Sequence, residues 1–223
     1  MVNKIQMSRK NEDNIFIFDF DGVFLDTPKF LMEIVRVLGR YGFTPKQVTA
    51  EYLANRKPDQ PPFSLISFLV SFFPDRPGII QKLYAELLGC VRSCLNPKMV
   101  EFLKKHKREN CFLVTNGEDE FQNDKINWSG LREFFSEVTI VQTNTKKREV
   151  EAICARFRDV KNIFFIEDKW QFLRDLDKEK YPNLRTYQYE GLVTLNHIEL
   201  ESGGPGFQEF RKYGSRIFKL FGN

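Results

Sequence analysis

Histidine is nearly absent. His106 and His197 are the only two in the 223 residues, so a catalytic relay or a metal centre built on imidazoles is poorly supplied. Cysteine is scarce too. Cys90, Cys94, Cys111 and Cys154 include no CxxC pair, and Cys90 and Cys94 stand at helical i,i+4 spacing in an apolar stretch. That pattern argues against a zinc centre and for buried free thiols in a reducing compartment. Long apolar runs are also missing. The longest, Phe63–Phe73, is too short to span a bilayer and is broken by Ser64, Ser67 and Ser71. Met1–Glu12 is polar and does not resemble a secretory signal. The expectation is a soluble, cytoplasmic protein with no membrane partner. Finally, no charge of one sign prevails. Thirty-four basic and 30 acidic residues leave a net +4, too mild to argue for nucleic acid, although it tolerates an anionic substrate.

What is abundant is phenylalanine, at 23 residues. Most stand in apolar runs and read as core. Short runs rich in Phe, Ile and Val predict strands at Ile15–Phe18, Cys111–Val114, Val138–Val141 and Ile163–Ile166, with a fifth at Leu184–Tyr189. Between them the apolar spacing is helical. Thr27-Pro28 opens a helix carrying Phe30, Leu31, Ile34, Val35 and Leu38. Further helices are expected at Thr44–Leu53, around Leu65–Phe73, at Ile79–Leu88, from Asn96-Pro97 to Lys107, from Glu118 to Ser129, and at Glu149–Phe157. The order is one strand, a helical insert, and then alternating helices and strands. This predicts an α/β fold, a doubly wound parallel sheet with an inserted all-helical subdomain. The expected division is a core of residues 1–27 and 95–223 and an insert of residues 28–94. Met1–Asp13 reads as a disordered lead-in.

Ligands of doubly wound sheets gather at the carboxyl ends of the strands. Those ends carry Asp19 and Asp21, then Thr115 and Asn116, and then Glu167 and Asp168, with Lys146 and Lys147 just after the third run. Each signal alone has a plain reading as a turn, a cap or a surface lysine. Together they suit phosphoryl chemistry, which needs a nucleophile, a proton carrier and positive charge around the phosphoryl oxygens. Asp19 can attack phosphorus and Asp21 can carry the proton. Thr115, with backbone N–H groups at Asn116-Gly117, can bind phosphate oxygens, and Lys146 or Lys147 can neutralise their charge. Two acids as close as Asp19 and Asp21 call for a cation between them, most simply Mg²⁺ with Asp168 and Glu167 completing its site.

These residues resemble the motifs of the haloacid dehalogenase-like (HAD) hydrolase superfamily. Asp19-Phe20-Asp21-Gly22-Val23 looks like its first motif, with Asp26 also in a familiar place. Val114-Thr115-Asn116-Gly117 looks like its second. Lys147, with Lys146 as the alternative alignment, looks like its third, and Phe164–Asp168 looks like its fourth. The resemblance implies a Rossmannoid core and a helical C1-type cap. It further implies an Mg²⁺-dependent phosphatase acting on a small phosphomonoester through an aspartyl-phosphate on Asp19. The metal ligands implied are Asp19, Asp21 (through its backbone carbonyl), Glu167 and Asp168. Many members have Gly-Asp with a second Asp four residues on, whereas this chain has Glu167-Asp168 and Phe172. Asp21 argues against dehalogenase and phosphonatase chemistry. A phosphomutase and a non-catalytic binding or regulatory protein are the alternatives. Arg56 and Lys57 in the cap read as part of a solvated loop, with contact to an anionic substrate as the alternative, and Phe207, Phe210, Ile217, Phe218 and Phe221 read as packing back onto the core, with docking of a partner as the alternative.

Overall fold

Four consecutive buried apolar residues make Ile15–Phe18 the strand β1, covered on both faces. A computed structural model describes residues 14–55, 62–143 and 145–190. The chain divides into the units Met1–Tyr189 and Glu190–Asn223, and the first carries the sheet. The expected lead-in, Arg56, Lys57 and the C-terminal aromatic residues lie outside the described residues.

The sheet comprises β1, β2 (Cys111–Asn116), β3 (Glu137–Val141), β4 (Ile163–Glu167) and β5 (Leu184–Gln188). Its order is β3-β2-β1-β4-β5, with every pairing parallel. β1 is therefore central, and the order changes direction beside it, where open parallel sheets place their sites. Alternation along β1 divides the core. Ile15 and Ile17 pack with Phe112, Val114, Ile163 and Phe165 against Val150, Ile153 and Cys154 of α7 (Lys147–Arg156). On the other face, Phe16 stacks on Phe164 at 5.3 Å and meets Phe102 edge-on at 5.5 Å.

Phe102 belongs to α5 (Pro97–Lys104), which Asn96 caps by accepting from the Lys98 and Met99 amides. α6 (Asp119–Ser129) is capped by Glu118 and ends at Gly130 with φ +73°. α8 (Trp170–Arg174) follows β4. The strands run beyond their expected ends. Thr115 and Asn116 belong to β2, and Glu167 closes β4, because both pairs of strands keep their register to those residues.

The proposed cap supplies α1 (Thr27–Gly39), α2 (Pro45–Ala54), α3 (Leu65–Phe72) and α4 (Pro77–Gly89), with no strand among its described residues. Asp26, rather than Thr27, caps α1, its carboxylate accepting from the Lys29 amide at 2.9 Å. Thr44 caps α2 in a reciprocal box with Gln47. At the two ends of this helical stretch the chain runs side by side. The Asp26 amide donates to the Cys94 carbonyl at 2.9 Å, and the Asn96 amide to the Phe24 carbonyl at 2.7 Å.

Among the described residues, no helix is long and apolar enough to cross a membrane. All four cysteines are free, and Cys111 and Cys154 are wholly buried. Burial pushes both thiols up to about 12. Because the folded state favours the protonated thiol, this contribution to stability is complete below the ordinary value of 9.0 and is lost as pH rises toward 12. A thiol-specific chromogenic disulfide at pH 8 is expected to leave both unmodified in the native protein and to label both in denaturant. Prompt native labelling, mapped by peptide mass, would contradict this packing.

Candidate active site

Asp19 lies one residue beyond β1. Its amide extends the ladder by donating to the Ile166 carbonyl at 2.9 Å, which sets it beside Glu167. Both carboxylates are buried, and Lys146 is buried between them. Lys146 Nζ donates to Asp19 Oδ1 at 2.7 Å and to Glu167 Oε2 at 2.5 Å. Burial alone would draw the lysine down. The charges of Asp19 and then Glu167 outweigh burial and hold it above its ordinary value. Burial and the charge of Asp19 push Glu167 up, against the pull of Lys146. The Phe172 ring lies 4.8 Å from Lys146 Nζ. Phe172, four residues after Asp168, thus packs under the lysine.

The neighbouring lysine goes elsewhere. Lys147 is half-exposed and pairs with Glu151 at 3.7 Å. The structure therefore brings Lys146, and not Lys147, to Asp19. The physical reason is helical phase: Lys146 is one turn before Val150 on the buried side of α7, and Lys147 is one turn before Glu151.

Asp19, Glu167 and Asp168 each offer an oxygen within 4.8 Å of the others. Asp168 Oδ1 is buried and has no hydrogen-bond partner among the described residues. Three carboxylates and the Lys146 ammonium sum to a formal charge of −2. Hard oxygen donors, that charge and an orphaned buried oxygen fit a divalent cation such as Mg²⁺. The Asp21 side chain stands outside this group.

Gly22 makes the arrangement possible. Its φ is +84°, and a Cβ there would come within 2.3 Å of Asp168 Oδ2. Gly22→Ala is expected to cost about 2–3 kcal/mol, from the left-handed backbone and from displacement of Asp168. A urea melt checks this, and a loss below about 0.5 kcal/mol would refute the close approach.

Asp21 has its own lysine. Lys125 Nζ donates to both Asp21 oxygens at 2.7 Å, and Gln122 Nε2 donates to Oδ2 at 2.8 Å. Burial pushes Asp21 up, but the charge and hydrogen bonds of Lys125, with Gln122, outweigh it and hold the carboxyl below its usual range. Thr115 is fully buried at the end of β2, with its Oγ1 3.4 Å from Gln122 Nε2. Asn116 is turned to other work: its side-chain amide donates to the Val141 and Thr143 carbonyls at 3.0 and 2.6 Å. The Gly117 amide likewise donates to Val141 O at 3.0 Å, so it closes the edge of β2 on β3.

The sequence reading missed Gln122 and Lys125. Their signal was periodicity, since Phe121, Lys125 and Ser129 recur at i, i+4 and i+8 and all lie on the buried side of α6.

A sequence model for haloacid dehalogenase-like hydrolases matches residues 14–171. The chain belongs to the haloacid dehalogenase-like hydrolases. Among solved structures, a Thermotoga maritima protein provisionally named a beta-phosphoglucomutase is 18% identical. The match covers 86% of this chain and 93% of that one, with a TM-score of 0.52. A Burkholderia xenovorans LB400 protein provisionally named a haloacid dehalogenase-like hydrolase is 19% identical. That match covers 78% and 81% of the two chains, with a TM-score of 0.50. At these identities the likeness is one of fold. Comparison with curated protein sequences gave no match. For this HAD chain, the buried Asp19–Lys146–Glu167 network and the adjoining Asp168 lie inside the matched region.

Proposed function

We propose that this HAD protein is an Mg²⁺-dependent phosphatase that hydrolyses a small phosphomonoester through an aspartyl-phosphate on Asp19. The observation that carries this reading is Asp19 itself. It is a buried carboxylate at the end of the central strand, paired with a buried lysine and grouped with two further acids. Asp19, Glu167 and Asp168, with the backbone carbonyl of Asp21, would hold Mg²⁺, which when bound neutralises charge on the transferring phosphoryl group.

In the first step Asp21 enters in its protonated form, against the pull of Lys125; an Asp19 oxygen bonds to phosphorus while the bond to the leaving oxygen breaks, and Asp21 gives that oxygen its proton. In the second step water bonds to phosphorus, the bond to Asp19 breaks, and Asp21 takes the water's proton. Inorganic phosphate leaves and both aspartates are restored. Lys146 keeps Asp19 oriented and offsets negative charge beside it, and the Thr115 hydroxyl is the proposed donor to a phosphoryl oxygen. Asp21 supports phosphatase over dehalogenase chemistry, because only the former needs a proton carrier at that place. The proposed helical cap, residues 28–94, would exclude water and read the leaving group.

A panel of phosphomonoesters, assayed with and without Mg²⁺, tests the reading. Release of inorganic phosphate that requires the ion is expected. No turnover of any member, or undiminished turnover after chelation, would overturn it. Isomerisation of a sugar phosphate without phosphate release would transfer the assignment to a mutase.

A further inference from the structure

Helix α6 touches two neighbours through adjacent residues. Gln122 and Lys125 are nearly fully buried and reach Asp21. Gln122 Nε2 also lies 2.7 Å from the Asn116 carbonyl, so one amide ties the loop after β1 to the end of β2. The fit is tight enough that a Cβ on Gly117 would come within 2.4 Å of that nitrogen. The Lys125 ammonium lies 4.6 Å from the Phe121 ring centre and 5.9 Å from that of Phe20. It is thus held by aromatic faces on one side and by a carboxylate on the other. Toward the cap, Phe121 packs 6.4 Å from Phe30, 6.0 Å from Phe63 and 6.4 Å from Tyr84. The Tyr84 hydroxyl donates to Asp124 Oδ2 at 2.7 Å.

We propose that Lys125 and Gln122 are positioning residues that fix the Asp21 carboxylate from a helix bonded to the cap. The proposal rests on the phosphatase reading, in which Asp21 carries the proton. A single nitrogen bonded to both carboxylate oxygens, with an amide on one of them, leaves the acid one orientation. Without Lys125, Asp21 keeps a neutral amide as its partner. Its side chain is about a quarter exposed, at 24%, so it can turn to water without stranding a charge. The fold then survives while the placement of the proton carrier is lost. An ångström of misplacement at a reacting group is enough for about a hundredfold in rate.

Lys125→Met and Lys125→Arg, assayed on para-nitrophenyl phosphate with Mg²⁺, test this. The expected result is a fall in kcat of about 10–100-fold for the Met variant with KM within about threefold of wild type. The Arg variant recovers most of the loss, because a guanidinium can bond both oxygens. A crystal structure of the Met variant is expected to show Asp21 turned away, with the Asp19–Lys146–Glu167 network unchanged. A kcat within about twofold of wild type, a loss seen only in KM, or an unmoved Asp21 would each overturn the proposal. If wild type hydrolyses no phosphomonoester, the phosphatase reading fails separately, and the Asp21 orientation in the crystal alone decides the role of Lys125. Should Lys125→Met not fold, Lys125→Gln takes the same tests.

Discussion

Lys146→Met is expected to destabilise the metal-free protein by about 3–5 kcal/mol, because it leaves the buried Asp19 carboxylate and its neighbour Glu167 without their shared ammonium. Lys146 is 1% exposed, Asp19 3% and Glu167 0%, so solvent cannot replace the lost ammonium. The fall in Tm should be roughly 6–20 °C for a chain of this size. Methionine nearly matches the volume of the lysine stem, so the loss reports charge rather than a cavity. Adding Glu167→Gln should recover part of it, since a neutral amide beside Asp19 needs no ammonium partner. Lys147→Met should leave Tm almost unchanged, since its contact with Glu151 is a half-exposed pair at 3.7 Å. Thermal melts of the four proteins check this ordering. Equal effects of the two lysine replacements would refute the burial of Lys146.

Asp19→Asn is expected to abolish turnover, by roughly 10⁴-fold or more, while leaving the protein folded. An amide is close to isosteric with the carboxylate, but it is not a comparable nucleophile toward phosphorus. Lys146 retains Glu167 at 2.5 Å as its anionic partner, so no ammonium is left alone. The diagnostic pattern is therefore lost activity with Tm near that of wild type, whereas Lys147→Met should lose neither. Initial rates on the best phosphomonoester of the panel, with residual activity measured at high enzyme concentration, check it.

The sheet was legible because parallel strands buried on both faces read as unbroken apolar runs. Ile15–Phe18 and Ile163–Ile166 have that character, and both are strands. The ends were less legible. Asn116 and Glu167 are polar residues that a pattern reading assigns to turns, whereas β-ladder pairing carries the strands through them. The strand order was not legible, since it depends on which face each helix covers. At the site, Asp19 stood out as an acid after a buried strand, but the choice between Lys146 and Lys147 was left open. The information was present in helical phase: Lys146, Val150 and Cys154 are spaced by four, and all are buried. Lys125 was hidden for a related reason. A lysine on the inner face of α6 looks like a surface residue until its partner, 104 positions away in sequence, is brought to it. Asp19 and Asp21 each have a lysine partner, which their spacing alone does not reveal, and the carboxylates of Asp19, Glu167 and Asp168 form a group that fits a metal.

The central claim is that Asp19 becomes covalently phosphorylated. Rapid acid quench during turnover of para-nitrophenyl phosphate with Mg²⁺, followed by peptide mass analysis, tests it most directly. The mass of one phosphoryl group is expected on Asp19 in wild type and is expected to be absent in Asp19→Asn. A phosphoryl group on a different residue, or turnover by Asp19→Asn at the wild-type rate, would contradict it.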